Sequence, residues 1–261
     1  MDDLAVAVAA ARAAAEVVSA GFGKRIDVAL KGRSNPVTEV DRAAEAAIVD
    51  VLSEHRPDDG ILGEEGTDIS EGAARRWLVD PLDGTVNFVH GLPIVSVSVA
   101  VYDGAGGLAA AVIDVTRREE FTATRGGGSR CNGDPIAVSA TSDFGEAVVG
   151  TGFAYDRNEH PEAYLRVVGR VLAEANDIRR LGSAALDLCW VGAGRYDGYW
   201  EYGLSPWDLA AGALIASEAG ATVTTLSGDP LDPFDRHVVA TNGLIHGRLR
   251  AIAAEGKPEH L

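Results

Sequence analysis

Positive charge is scarce in this chain. Lys and Arg number 23 among 261 residues, against 39 Asp and Glu, a net charge of −16. A nucleic-acid surface draws most of its non-specific affinity from clustered Lys and Arg, so the composition argues against a nucleic-acid partner. Solubility is the plain reading of the acidity. A small phosphorylated substrate is not excluded, because bound metal reverses the sign of a site locally. Cysteine is almost absent. Cys131 and Cys189 cannot build a disulfide framework and neither belongs to a CxxC pair, which points to a reducing compartment. Uninterrupted apolar runs of about 18 residues are missing as well. The start, MDDLAVAVAAARAAAEVVSAGF, opens on two aspartates and carries Arg12 and Glu16 where a leader would be basic. The expectation is a soluble, cytoplasmic protein with no membrane partner.

What is present is an ordinary globular composition, 46% hydrophobic and 24% charged, long enough for one large or two fused domains. Leu4, Val8, Ala11, Ala15 and Val18 recur at helical spacing. The polar link KGRSNPVTEVD leads to a second helix with Ala44, Ala47, Ile48 and Val51 on one side, ended by Pro57 and Gly60. ILGEEG and RWLVDPLDGT read as strands that stop in acidic turns. IVSVSVAVY alternates as a strand, with GLAAAVIDV and EEFTATRGGG as antiparallel neighbours. Beyond Gly128 strands and helices alternate: AVVGTGF, HPEAYLRVVGRVLAEA, DIRRLG, SAALDLCWVGAG, YDGYWEYG, then SPWDLAAGALIASEAG. That last helix has Ser205 as cap, Pro206 in its first turn and Gly220 beyond its end. ATVTTL and HVVATN are closing strands and 244–252 a terminal helix. An α+β half at 1–140 and an α/β half at 141–261 follow, with the seam falling within 135–147.

Acidic residues recur where regular elements begin or stop: Asp41, Glu64 with Glu65, Asp80 with Asp83, Glu201 and Asp208. Taken singly, most have a plain explanation. Asp208 reads as a helix N-terminal charge, Asp41 as a first-turn acid and Glu64-Glu65 as a solvated turn. Asp80 and Asp83 are harder to dismiss, because Trp77, Leu78 and Val79 carry the chain out of a core strand there. Two unit charges 4 Å apart repel by about 4 kcal/mol at an effective dielectric near 20. Several converging carboxylates therefore need a counter-ion, and few Lys or Arg lie beside these motifs. Hard oxygen ligands favour Mg²⁺ or Mn²⁺, and no Cys/His cluster offers a zinc site. Pro81 and Leu82 let a turn carbonyl point with the two side chains. The Thr85 hydroxyl could orient a water with a carboxylate accepting its proton, although a DGT triplet alone also reads as a tight turn.

DPLDGTVNFVHG resembles the first signature of the inositol monophosphatase family, and WDLAAGALIASEAG resembles its second. The preceding GEEG, and EYGLSPWD leading into the second motif, match in kind and order. The resemblance implies an αβαβα layered sandwich, the fold shared with fructose bisphosphatase, and Mg²⁺-dependent hydrolysis of phosphate monoesters of small polyols or sugars. By that resemblance Glu64, Asp80 and the Leu82 carbonyl hold a first metal. Asp80, Asp83 and Asp208 hold a second, and Glu64 shares a third ion. Asp41, Thr85 and Glu64 form the catalytic set. Asp83 and Asp208 border the substrate, the Gly84 and Thr85 amides receive its phosphate, Glu201 binds ring hydroxyls, and Ser183 and Ala184 line that end. A homodimer and lithium sensitivity are implied too, the latter set by the 33–41 link.

The haloacid-dehalogenase phosphatases also carry an Asp-Gly-Thr motif. Theirs is DxDGT near the chain start, whereas DxxDGT stands here more than seventy residues in. Histidinol-phosphate, fructose-1,6-bisphosphate and 3'-phosphonucleotide phosphatase activities stay open as substrate alternatives, and a bisphosphate would draw on Arg179 or Arg180. A non-enzymatic role as binding partner of a larger assembly is the remaining alternative. His90 reads as structural, Trp190, Tyr199 and Trp200 as core, and GTG at Gly150–Gly152 is too short for dinucleotide binding.

Overall fold

The computed structural model describes residues 1–24, 28–32, 35–69 and 73–257, with 28–32 and 35–37 described by backbone alone. Arg33 and Ser34, within the link expected to set lithium sensitivity, lie outside the described residues. The chain opens with α1 (Asp3–Gly21), the hairpin β1 (Val28–Gly32) and β2 (Asn35–Thr38), and α2 (Glu39–His55). Next come β3 (Gly60–Gly63), β4 (Asp68–Ile69), β5 (Arg76–Asp83), α3 (Thr85–His90), β6 (Ser96–Asp103) and β7 (Gly106–Asp114). These are followed by β8 (Glu119–Thr124), β9 (Gly128–Cys131), β10 (Asp134–Pro135), β11 (Val148–Thr151), α4 (Pro161–Glu174) and β12 (Asp177–Arg179). The remainder is α5 (Ala184–Gly192), β13 (Gly198–Glu201), α6 (Pro206–Glu218), β14 (Thr222–Thr224), β15 (Val238–Thr241) and α7 (His246–Gly256).

Two large sheets result. One runs β10-β9-β8-β7-β6-β5-β3-β4 and the other β12-β11-β13-β15-β14. The period of two along each strand sends alternate residues to opposite faces, and this alternation creates the layers. Trp77, Val79, Val99 and Val101 face α1 and α2, whereas Leu78, Ala100, Ala110 and Val112 face α5 and α6. In the second sheet Tyr199, Val238 and Ala240 meet α5 and α6 from the other side. Trp200 and Val239 look outward to α4 and α7. The order is therefore α1/α2, sheet, α5/α6, sheet, α4/α7: the expected αβαβα sandwich. α5 and α6 are covered on both sides, so they are buried all round, with every residue from Ala184 to Gly192 and from Leu209 to Ala216 buried. Trp190, Tyr199 and Trp200 are core, as read from the sequence.

Several elements differ from expectation. The link before α2 is a β-hairpin, and the Gly-Thr turn after β5 continues into the short helix α3. The buried side of α1 is Val6, Ala7, Ala10, Ala11, Ala14 and Val18, broader than the stripe read from spacing, because α1 packs against both α2 and the sheet. By length and composition α1 is apolar enough to cross a membrane, yet its apolar face is spent on this packing. On α2, Ala44 and Ile48 are buried as expected, but their companions are Val40, Leu52 and two acids, Asp41 and Glu45.

Candidate active site and metal centre

The site begins with a fault in β5. Against β6, Asp80 stands opposite Ser98 and Asp83 opposite Ser96, so three steps on one strand match two on the other. Residues three apart on a regular strand face opposite ways, and the extra residue of this bulge cancels that alternation. Both aspartates consequently line one cavity of about 270 Å³. The Leu82 amide donates to Asp80 Oδ1 at 2.9 Å, fixing that carboxylate. Gly84 then turns the chain with φ +92°, and a Cβ there would stand 2.8 Å from the Ile94 carbonyl, so no other residue fits. Thr85 follows as the first residue of α3. Its hydroxyl donates to the Leu82 carbonyl at 3.1 Å and to Asp41 Oδ1 at 3.3 Å. The other oxygen of Asp41 accepts from the Thr38 amide and hydroxyl, at 2.8 and 2.5 Å, as part of the capping box of α2. Burial is the main influence on Asp41 and pushes its carboxyl up, against the lowering effect of the Thr38 bonds.

Glu64 from the β3 turn, Asp80 from β5 and Asp208 from the first turn of α6 place carboxylate oxygens within 4.8 Å of one another. Burial raises Asp80 well above the usual carboxylate range, and repulsion from Glu64, Asp83 and Asp208 adds to it. Asp208 is raised in the same direction by burial, then by Glu64. One Asp208 oxygen accepts from the Ser205 amide at 2.7 Å, so the residue caps its helix and faces the cavity at once. Three hard oxygen donors that repel one another in a buried place fit a divalent cation, as the sequence implied.

Asp83 stands outside that trio. Its Oδ2 accepts from the Ser183 hydroxyl (2.6 Å), the Ala185 amide (2.9 Å) and the Ser96 hydroxyl (3.4 Å), which ties β5 to the N-terminus of α5. Asp83 Oδ2 thus faces the N-terminus of α5, which holds part of its charge. Ser183 likewise sits behind Asp83, almost fully buried, while Ala184 lines the cavity. Glu201, at the end of β13, lines the opposite side and accepts from the Tyr199 hydroxyl. Burial pushes its carboxyl up to about 7. A Cβ on Gly152 would lie 2.0 Å from Glu201 Oε2, so the second glycine of GTG leaves room for this carboxylate.

Several residues of the site were not read from the sequence. Glu45, one turn after Asp41 on the buried side of α2, accepts from the Glu65 amide (2.8 Å), the Thr67 amide (3.1 Å) and the Thr67 hydroxyl (2.7 Å). It pins the turn that presents Glu64. Asn87 of α3 donates to the Ile94 and Leu181 carbonyls at 2.9 and 2.8 Å, stapling the two halves beside the cavity. Phe153, Tyr155 and Arg157 also line the wall, beside Arg180, which the sequence had offered for a second phosphate, whereas His90 is exposed and does not line it. The signal available for Glu45 was its i+4 spacing from Asp41. Substituting Glu45 by Ala is expected to weaken divalent-cation binding at the acid trio about tenfold, the usual cost of losing a residue that orients a ligand. Glu45→Gln, which keeps one acceptor, should recover part of it in a metal titration.

Asp187 on α5 is fully buried, and neither carboxylate oxygen meets hydrogen-bond geometry, with the Tyr196 hydroxyl beside it equally unsatisfied. Burial raises its carboxyl well above the normal range, and Glu201 and Asp83 add to the rise. The folded state thus holds this proton more tightly than the unfolded chain. The stability from that proton is complete below the unfolded value near 3.9 and is lost as pH rises toward the folded one. Melting curves from pH 5 to 8 should accordingly move in favour of Asp187→Asn relative to the parent, and parallel curves would contradict this.

The five layers thus carry a cavity whose oxygen-only acid cluster suits a divalent cation. The chain belongs to the inositol monophosphatase family, whose sequence model matches residues 2–257. It is 43% identical over 247 residues to a protein named Nus factor SuhB from Pseudomonas aeruginosa, covering 92% of this chain and 91% of that one. It is 41% identical over 247 residues to the chloroplastic phosphatase IMPL1 of Arabidopsis thaliana, covering 92% and 67%. Among solved structures, an IMPase of Thermotoga maritima superposes with a TM-score of 0.89 at 36% identity, covering 98% of each chain.

Proposed function

We propose that this protein is a Mg²⁺-dependent phosphomonoesterase acting on inositol monophosphate or a related small polyol or sugar phosphate. The observation that carries this reading is the Thr85 hydroxyl, bonded to the raised carboxylate of Asp41 and set beside the trio Glu64, Asp80 and Asp208. When bound, two or three Mg²⁺ ions, or Mn²⁺ in their place, would supply the charge that polarises the phosphoryl group and makes water a better nucleophile. Glu64, Asp80, Asp208 and the Leu82 carbonyl would hold them, with Asp83 contributing from its side of the cavity. The hydroxyl hydrogen of Thr85 is engaged by Asp41 and Leu82, so its oxygen is left to accept from water. The proton then passes through Thr85 to Asp41. The Gly84 and Thr85 amides would receive the phosphate, and Glu201 the substrate hydroxyls.

The relatives named Nus factors support a second reading, in which the chain also serves as a member of a larger assembly, and this reopens the question of a nucleic-acid partner. Affinity capture with Asp80→Asn separates the two: a partner retained while hydrolysis is lost assigns an independent role. A cytoplasmic homodimer is part of the proposal, consistent with two free cysteines. Sedimentation measures the dimer. A phosphate-release screen with Mg²⁺ over inositol phosphates, fructose bisphosphate, histidinol phosphate and 3'-phosphonucleotides tests the main reading. Release from none of them would overturn it.

A further inference from the structure

The sequence offered Arg179 and Arg180 as a pair, and the structure separates them. Arg179 turns outward on β12, where Nη1 meets Asp177 Oδ2 at 2.5 Å. Arg180 lines the cavity, and its Nη1 stands 2.6 Å from the place a Cβ on Gly182 would take. Its guanidinium lies over the Phe153 ring, 5.5 Å from the centroid, and forms no ion pair with a carboxylate among the described residues. Arg157 repeats the arrangement on the same wall, 5.8 Å from the Tyr155 centroid, with Nη1 donating to the Ala154 carbonyl at 3.1 Å. Among the described residues no other Lys or Arg borders the cavity.

An unpaired arginine beside an acid-lined cavity has a specific chemical meaning. Stacking on an aromatic ring uses the face of the guanidinium and leaves its in-plane N–H fork free for a planar or tetrahedral anion. One carbonyl satisfies only one of the five donors of Arg157. The position of the pair along the cavity also matters. A Cβ on Gly152 would lie 2.0 Å from Glu201 Oε2, and Phe153, on which Arg180 stacks, is the next residue, so Arg180 stands at the Glu201 end of the cavity. Both guanidinium groups also lower the Glu201 carboxyl.

We propose that Arg180 and Arg157 form a second anion subsite beside Glu201, so that the preferred substrates are small polyol or sugar phosphates carrying a further phosphate or carboxylate. This rests on the phosphomonoesterase reading and narrows its substrate class. Glu201 engages hydroxyls near the middle of such a molecule while the two guanidinium forks hold its remote anionic end. The reaction itself is unchanged: water attacks the phosphorus held at the metal end, the ester oxygen leaves, and inorganic phosphate is released.

The test compares matched substrates with the full chain and Mg²⁺. Fructose 1,6-bisphosphate is set against fructose 1-phosphate, and 6-phosphogluconate against sorbitol 6-phosphate. The second anion should raise kcat/KM by about tenfold or more in at least one pair, the scale of charge-assisted hydrogen bonds. Preference in the first pair alone marks a phosphate subsite and in the second alone a carboxylate subsite. Arg180→Gln should reduce that preference to about threefold or less, mainly through KM, Arg180→Lys should restore part of it, and Arg179→Gln should leave it intact. A chain that hydrolyses the monoanionic esters but shows no preference overturns the subsite alone, as does a preference that survives Arg180→Gln combined with Arg157→Gln. Failure to hydrolyse any of the four esters removes the parent reading and the subsite with it.

Discussion

Asp80→Asn should reduce Mg²⁺-dependent hydrolysis by about a thousandfold or more while raising the melting temperature of the metal-free protein. The activity loss follows because charge stabilisation by a bound cation is worth several kcal/mol, and each ~1.4 kcal/mol is a factor of ten. Asp80 is the member of the trio raised by all three neighbouring acids as well as by burial. Its removal therefore weakens the centre more than a rim substitution would. The stability gain comes from the same fact. Carboxylate oxygens within 4.8 Å of one another repel by roughly 3 kcal/mol per ionised pair at an effective dielectric near 20. Without metal only proton uptake relieves this, as the raised Asp80 carboxyl reflects, and an isosteric amide removes Asp80's part of it. A net relief of 1–2 kcal/mol would move the transition by roughly 2–8 °C in a chain of this size. Addition of Mg²⁺ should raise the melting temperature of the parent, since a ligand of the folded state stabilises it, and do little for the variant. Asp208→Asn is expected to match the activity loss and keep its helix cap, because an amide oxygen can still accept from the Ser205 amide. Retained turnover in both variants would remove the metal assignment.

The strands β5 to β8 could be read from the sequence because a sheet covered on both faces still leaves strong β-branched alternation, and their antiparallel order follows from short polar turns. The start of α6 was equally clear, since Ser205, Pro206 and Asp208 are local signals. Glu64, Asp80 and Asp208 came out of the sequence because each ends or opens an element, where a rigid scaffold displays its side chains. What escaped has a common cause: partners far apart in the chain. Nothing local indicates that Asp83 would meet Ser183 and Ala185, about a hundred residues on. Glu45 was not singled out on α2, because an acid at a helical position reads as surface until the turn it holds is seen. Asp187 was not singled out for the same reason. GTG was read only for what it could not be, a dinucleotide motif. Its second glycine serves Glu201, fifty residues away. α3 was missed on length, since six residues give periodicity too little room.

Thr85→Ala should lower kcat by about a hundredfold to a thousandfold with small effects on KM and on the Mg²⁺ requirement, the range expected for loss of a proton-transfer group. The separation arises from geometry. Thr85 is bonded to Asp41 and to the Leu82 carbonyl, and it does not contribute a carboxylate to the trio. Thr85→Ser keeps the hydroxyl and should recover most of the rate. Asp41→Asn probes the next link. Thr38 donates to one Asp41 oxygen through both its amide and its hydroxyl, so an asparagine must keep its carbonyl oxygen there and turn its amide toward Thr85. A donor would then stand where the base stood, and the proton would have no acceptor. Because burial raises Asp41, the parent rate should fall on acidification at a pH above the ordinary carboxylate range near 3.9, as Asp41 takes up its proton. Above that pH the base form is present and the rate levels. The Asp41→Asn variant should lose this acid limb along with most of its kcat. An unchanged acid limb in the variant would show that another group accepts the proton, and Thr85 would then act on water without Asp41.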